Sequence, residues 1–280
     1  MVNRFADLAG LVDVAFVVDT TGSMGPFIEA ARDNIRRVAE EVADLGDLDL
    51  HFAVVEYRDH PPQELSFVTR VYPFDDGDAL QAVLNGLQPE GGGDAPEAVL
   101  DGLVAAANLA WRANADRLCF LVGDAPPHGY GQRVSPPSGR RSSRDSSSDD
   151  DAWPEGCPCR ATPNGVVELL RGHNIRLHAI SLTADSSQVA AFRELAEGAG
   201  GSLTEAPSDP LYAATSTGEA LDRTSALVRA SRSYLAAAAE TGSSDSERIA
   251  THLGWTEEMT EGTAAYLRER GIMPDTGDRA

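Results

Sequence analysis

Residues 12–24 read VDVAFVVDTTGSM, an apolar run interrupted only by Asp13 and followed at once by a carboxylate and hydroxyl side chains. A short apolar run of this kind predicts a buried strand, here over residues 13–18, that ends just before Asp19. Alternate side chains of an extended turn point the same way, so Asp19, Thr21 and Ser23 are expected to share one side. Oxygen ligands suit Mg²⁺, Mn²⁺ or Ca²⁺. The stretch therefore predicts a hard-cation site.

The composition favours a globular chain without nucleic-acid or membrane partners. The 280 residues are 42% hydrophobic, enough for one large domain or a domain with an appendage. The net charge is −21, which repels phosphate backbones and anionic lipid surfaces. All 23 basic residues are arginine, and the absence of lysine excludes a Walker-type phosphate loop and Schiff-base chemistry.

The cysteines and the first residues indicate a cytoplasmic protein. Three cysteines, Cys119, Cys157 and Cys159, are too few for a disulfide framework in a chain of this length. Residues 1–10 carry no basic region ahead of an apolar stretch, and the strand that follows is too short to span a bilayer. We therefore expect neither a signal peptide nor a transmembrane helix.

The pair Cys157 and Cys159 raises the question of a zinc site, with His128 as a further ligand. Structural zinc normally needs four ligands, and two thiols without a second pair fall short of that number. The sequence alone therefore does not support zinc here.

Short apolar runs alternate with helical patterns along the first two thirds of the chain. This predicts a doubly wound, mostly parallel six-stranded α/β sheet with helices on both faces. The predicted strands are residues 13–18, 50–57, 65–72, 118–122, 175–182 and 202–205, and the predicted helices are 26–45, 76–87, 96–111, 165–171 and 189–197. The link 58–64 is too short for a parallel crossover, so the third strand is expected to be an antiparallel edge strand.

Two further loops offer oxygen ligands at the ends of predicted strands, where open α/β sheets bind their ligands. Asp124 follows the strand at 118–122. Residues 91–97 read GGGDAPE, with Asp94 after three glycines and Pro96 placed to begin a helix. The alternative is that Asp19 and Asp94 only cap helices. Glu97 is interpreted either as a first-turn helix acid or as a residue that contacts the metal ligands without binding the ion. His128 is interpreted as an exposed loop residue.

Together the three loops resemble the von Willebrand factor type A (VWA) family and its metal-ion-dependent adhesion site. The family motif Asp-x-Ser-x-Ser is similar to DTTGS at residues 19–23, with Thr21 in place of the first serine. Asp124 resembles the third-loop aspartate, and the likeness runs from about residue 13 to 205. The DTTGSM and GGGDAPE versions resemble a subgroup common in microbial members.

The resemblance implies a Rossmann-like fold and a divalent cation, Mg²⁺ before Mn²⁺ or Ca²⁺, held by Asp19, Thr21, Ser23, Asp94 and Asp124. It also implies a non-catalytic domain that binds a protein partner, such as an ATPase or another enzyme of a multi-component system.

Asp94 departs from the best-known adhesive members, which offer a threonine in the second loop. A dication facing Asp19, Asp94 and Asp124 would carry a net charge of about −1 with its carboxylates. We therefore expect the ion to be bound firmly and to organise the loops, rather than to capture an acidic residue of a partner.

The remaining segments suggest an appended unit and an insertion. We predict a VWA domain over residues 1–207, a flexible insertion at 131–160 whose Arg, Ser and Asp composition cannot bury a core, and a helical appendage at 208–280. The appendage has predicted helices at 219–239 and 246–270. It superficially resembles a helix-turn-helix, but Glu257, Glu258 and Glu261 would meet phosphate, so protein docking is the better interpretation.

Two other functions compete with the metal-dependent interaction domain. A haloacid-dehalogenase-like phosphohydrolase also places an aspartate after its first strand beside Mg²⁺. It typically has a second aspartate where this chain has Thr21, and it needs a lysine that this chain lacks. The other alternative is a scaffold that binds no metal.

A further group of polar residues follows the second predicted strand: Glu56, Arg58, Asp59 and His60. No nucleophile is paired with a base in this group, so we do not interpret it as catalytic.

Overall fold

The structure is a computed structural model that describes residues 8–28, 48–93, 95–130, 151–206 and 210–273, with only the backbone described for 210–222. Its strands are β1 (Leu11–Asp19), β2 (Asp49–Tyr57), β3 (Thr69–Asp75), β4 (Asp116–Gly123), β5 (Ile175–Ser181) and β6 (Leu203–Glu205). They form one sheet in the order β3-β2-β1-β4-β5-β6. β3 is antiparallel to β2, and the other pairs are parallel. The predicted sheet is confirmed, and its strand order reverses between β1 and β4.

Seven helices are labelled in the described residues: α1 (Gly77–Gly86), α2 (Val99–Ala107), α3 (Pro163–Gly172), α4 (Ser186–Gly198), α5 (Pro210–Thr241), α6 (Ser246–Leu253) and α7 (Glu257–Glu269). Side-chain caps mark several starts, as where Asp76 accepts from the Ala79 amide ahead of α1. Of the predicted helix 26–45, residues up to Ile28 are helical and the remainder lies outside the described residues.

The third strand begins four residues later than predicted. The Gln63 and Glu64 amides both donate to the His60 carbonyl, and the Glu64 carboxylate accepts from the Leu65 and Ser66 amides, each at 2.7 Å. The backbone at 63–66 therefore forms a turn instead of strand pairs, and β3 starts only at Thr69.

β1 is buried on both faces because each face packs on its own apolar layer. Phe16 and Val18 belong to a cluster that includes residues of α1, whereas Val17 packs with residues of α2, α3 and α4. This explains the nearly continuous apolar run. The one interruption, Asp13, accepts from the backbone amide and Nε of Arg112 at 2.7 and 2.6 Å.

The C-terminal helices pack against the end of the sheet opposite to Asp19. Arg270 donates hydrogen bonds to the carbonyls of Leu8, Ala9, Leu11 and Asn114. Ala9 also lies in an apolar cluster formed by α5, α6 and α7. The helical segment is therefore attached to the start of β1. The domain boundary at 207/208 stays a prediction.

The predicted flexible insertion at 131–160 is only partly described, since residues 131–150 lie outside the described residues. Its last ten residues make contacts with distant parts of the chain. Asp151 accepts from the Gly129 amide at 2.8 Å, and Cys157 is buried. Long-range contacts hold this part in place, and composition does not reveal them. In the described residues, no helix has both the length and the apolar character that crossing a membrane requires.

Candidate metal centre

Asp19 is the last residue of β1 and is 0% exposed. Its Oδ1 accepts from the Thr21 amide at 2.8 Å and from the Thr21 hydroxyl at 2.6 Å. Its Oδ2 is buried and has no hydrogen-bond partner among the described residues. A buried carboxylate oxygen without a donor is costly unless a cation or a proton occupies the space before it.

Ser23 connects this loop to the end of the neighbouring strand. It lies in a single 3₁₀ turn, Gly22–Met24, and its hydroxyl donates to Asp124 Oδ1 at 3.1 Å. The Ser23 and Thr21 hydroxyl oxygens are 3.3 Å apart. Four of the five predicted ligands, Asp19, Thr21, Ser23 and Asp124, thus form one continuous group of oxygens. The fifth, Asp94, lies outside the described residues.

The glycine-rich second loop supports the first through its backbone. The Gly22 amide donates to the Gly91 carbonyl at 3.1 Å, and the Glu90 amide donates to the Thr20 carbonyl at 3.0 Å. Gly91 has φ +79°, a left-handed backbone conformation that residues other than glycine rarely adopt. Glycine at this position therefore lets the backbone take the turn that places its carbonyl against Gly22.

Of the two interpretations of Glu97, the first-turn helix acid is wrong, and the residue that contacts the metal ligands stays a prediction. Glu97 precedes α2, is 3% exposed, and donates its amide to the Pro126 carbonyl at 2.9 Å, so it is not a first-turn helix acid. Tyr57 is fully buried beside it. Burial, with the charges of Asp19, Asp124 and Glu97, raises the pKa of Tyr57 well above its ordinary value. Sequence reasoning did not identify Tyr57 as a neighbour of the Asp19 carboxylate. Pairing the ends of β1 and β2 places Tyr57 opposite Asp19.

The electrostatics of the centre favour a bound positive charge. Burial and the nearby Asp124 raise the pKa of Asp19 to about 7, and burial also raises the pKa of Asp124. Arg58 offsets part of the effect on Asp19, but its guanidinium is also shared with Glu64 at 3.7 Å. A divalent cation would stabilise both carboxylates in their charged form. The group of oxygens fits a hard cation.

His128 is buried, so the prediction of an exposed loop histidine is wrong. It is 2% exposed, with Nε2 2.7 Å from Asp59 and Nδ1 3.0 Å from Asp151. Burial lowers the pKa of His128, but the bonds to Asp151 and Asp59 outweigh this and raise it to about 9. Both partners are distant in the chain, so no local pattern signalled this contact.

Comparison with known proteins supports the resemblance for the first half of the chain. Residues 13–134 match the family model described as the von Willebrand factor A domain. The chain is 31% identical over 119 residues to the alpha-protein kinase vwkA of Dictyostelium discoideum, covering 42% of this chain and 19% of the kinase. It is 31% identical over 126 residues to a putative ariadne-like RING finger protein of Acanthamoeba polyphaga mimivirus, covering 44% of this chain and 12% of that protein. The match thus spans a fifth or less of these relatives.

Solved structures share the fold. The pilus adhesin SpaC from Lactobacillus rhamnosus GG aligns with a TM-score of 0.54 and 14% identity, covering 77% of this chain and 30% of the adhesin. Proximal thread matrix protein 1 from the mussel byssus aligns with a TM-score of 0.51 and 15% identity, covering 78% of this chain and 47% of that protein. The topology and the family match together give a Rossmann-like α/β fold of the VWA type.

Proposed function

We propose that this protein is a VWA domain of the microbial DTTGSM type that binds a divalent cation and uses it in non-catalytic protein–protein interaction. The observation that carries the proposal is Asp19 Oδ2, which is fully buried and lacks a hydrogen-bond partner among the described residues. The hydroxyls of Thr21 and Ser23 and the carboxylate of Asp124 complete a set of oxygens beside it.

Mg²⁺ is the proposed resident ion because all of these ligands are hard oxygens. Mn²⁺ and Ca²⁺ accept the same donors and are the alternatives. A proton on Asp19 would satisfy the buried carboxylate less completely, because it leaves the charge of Asp124 in place.

Asp94 is included in the proposed ligand set on the strength of its motif. Asp94 itself lies outside the described residues, whereas its neighbours Gly93 and Ala95 are described. A third carboxylate would bind the ion more firmly and would make it a poorer acceptor for an acidic residue of a partner. The ion then acts mainly by fixing the three loops in one arrangement. Asp94→Thr should therefore lower the metal affinity, and an unchanged affinity would remove Asp94 from the set.

The proposed ligand of the whole domain is a protein, and the proposed location is the cytoplasm. The resemblance suggests a multi-component system whose partner is an ATPase or another enzyme. The net charge of −21 makes nucleic acid and anionic membranes poor partners.

Calorimetric titration with Mg²⁺ and Mn²⁺ tests the proposal. Wild type should bind one ion, and Asp19→Asn should abolish the binding. Asp76→Asn is the matched control because Asp76 is an exposed helix cap and asparagine caps equally well. Absence of binding to wild type would favour the metal-free scaffold.

Two further assays separate the remaining alternatives. Proteins captured in Mg²⁺ by wild type and by Asp76→Asn, but lost with Asp19→Asn, would be candidate partners. Hydrolysis of small phosphoesters that disappears in Asp19→Asn would favour the phosphohydrolase instead.

A further inference from the structure

A second group of potential metal ligands lies apart from Asp19 and contains sulfur. His60, Asp101, Cys157 and Cys159 each place one ligand atom within 4.8 Å of the others. His60 follows β2, Asp101 lies in the first turn of α2, and the two cysteines belong to residues 151–160. Three separate segments thus meet at one point.

The distances between these atoms are close to those of a tetrahedral metal site. Cys157 Sγ lies 3.5 Å from His60 Nε2 and 2.9 Å from Asp101 Oδ2, and the latter two atoms are 3.1 Å apart. Around tetrahedral zinc, neighbouring ligand atoms are separated by roughly 3.4 to 3.8 Å. The Asp101 carboxylate would therefore move outward on metal binding, and Cys159 Sγ, which lies within 4.8 Å of the other three ligand atoms, would complete the group.

We propose that His60, Asp101, Cys157 and Cys159 form a structural zinc site. Two thiolates, one imidazole and one carboxylate are ligands that zinc accepts, and four protein ligands leave no open position for a substrate. Thiolates disfavour Mg²⁺ and Ca²⁺, so this site and the oxygen-only centre at Asp19 select different metals. The two thiols would bind as thiolates and release their protons to solvent.

Two of the four proposed ligands are buried, and an aromatic ring packs against one of them. His60 is 4% exposed and Cys157 is 8% exposed, whereas Cys159 is open to solvent. Trp153 packs edge-on against His60 at 5.5 Å between ring centroids. Such packing fixes the orientation of the imidazole.

The site would fasten residues 151–160 to β2 and α2. The same segment is already held by Asp151, which accepts from the Gly129 amide and pairs with His128. Gly129 lies in the loop that begins with Asp124. By holding residues 151–160 in place, zinc would therefore stabilise the loop that begins with Asp124. It would not itself be bound by the oxygen ligands of that centre.

The sequence could not reveal this site because its ligands are far apart in the chain. Cys157 is 56 residues from Asp101 and 97 residues from His60. The nearby histidine considered from the sequence, His128, is instead held between Asp59 and Asp151.

Cobalt substitution tests the proposal on the full chain. Reduced, metal-free protein in excess Mg²⁺ is titrated with Co²⁺ and followed by its absorption spectrum. Wild type should bind one Co²⁺ with a thiolate-to-cobalt charge-transfer band and intense tetrahedral d–d bands, and one equivalent of Zn²⁺ should remove both. A wild-type spectrum without the charge-transfer band would overturn the proposal.

Variants assign the ligands. The double variant Cys157→Ala/Cys159→Ala should lose the charge-transfer band, and His60→Ala should weaken cobalt binding about 10-fold or more. Cys119→Ala is the matched cysteine control and should keep the wild-type spectrum. Asp19→Asn should keep it as well, which separates this site from the proposed Mg²⁺ centre. A band that persists in the double variant, or an unchanged affinity in His60→Ala, would contradict the ligand set.

Discussion

Ser23 donates a hydrogen bond to Asp124 at 3.1 Å although the two residues are 101 positions apart. The bond joins the loop after β1 to the loop after β4, at the point where the strand order of the sheet reverses. Ligands of open α/β sheets bind at such points. The contact therefore links the proposed metal ligands to the part of the fold best suited to hold them.

Replacing Asp19 should make the metal-free protein more stable at alkaline pH. The raised pKa of Asp19, from 3.8 to about 7, means that its contribution to stability is present below pH 3.8 and is lost as the pH rises through about 7. At pH 8 in a chelator, we expect Asp19→Asn to raise the free energy of unfolding by about 1 to 4 kcal/mol, measured by urea denaturation. The difference should vanish near pH 3.5, and a difference independent of pH would contradict the assignment.

Mg²⁺ should offset that difference because it stabilises only the wild type. At a free concentration 100 times its dissociation constant, a ligand of the native state adds about 2.7 kcal/mol to stability. Wild type should gain this amount and Asp19→Asn should gain none. Equal stabilisation of both proteins would place the ion elsewhere.

Cation binding should release protons at pH 6 and release few at pH 8.5. Asp19 must lose its proton to bind the ion, and its raised pKa means that it is largely protonated at the lower pH. Calorimetry in two buffers of different ionisation enthalpy measures the number released. The same number at both pH values would argue against Asp19 as a ligand.

The contact between His128 and its two aspartates should give a pH-dependent contribution to stability. The pKa of His128 is raised from 6.5 to about 9, so the contribution is present below pH 6.5 and is lost as the pH rises through about 9. We expect His128→Gln to cost on the order of 2 to 3 kcal/mol at pH 6 and much less at pH 10. His173→Gln, at an exposed histidine, is the control and should show no such trend.

Arg270 should hold the C-terminal helices to the sheet. Arg270→Ala would leave the carbonyls of Leu8, Ala9 and Leu11 without this donor, at a cost of about 2 to 4 kcal/mol. Hydrogen exchange should become faster along α7. Arg248→Ala, at an exposed arginine of α6, should leave the exchange unchanged.

The sheet and most of the candidate centre could be predicted because their signals are local. β1 is apolar on both faces, and the polar residues that follow it must emerge at the carboxyl edge of a parallel sheet. The same reasoning applies to β4 and Asp124.

The parts that were missed depend on contacts between distant segments. The late start of β3 follows from a turn whose carbonyl acceptor is His60. The burial of His128 requires Asp59 and Asp151 together, and the thiols of 157–159 meet His60 and Asp101 only in the folded chain. Neither periodicity nor composition carries information on these pairings.

We propose that one dication lies among Asp19, Thr21, Ser23 and Asp124. The most direct test is an anomalous difference map from a crystal of the full chain grown with Mn²⁺. The predicted result is a strong peak in contact with Asp19 Oδ2 and Ser23 Oγ, absent in Asp19→Asn crystals and retained in Asp76→Asn crystals. A map without a peak at these oxygens in the wild type, at saturating Mn²⁺, would show that they do not bind the ion.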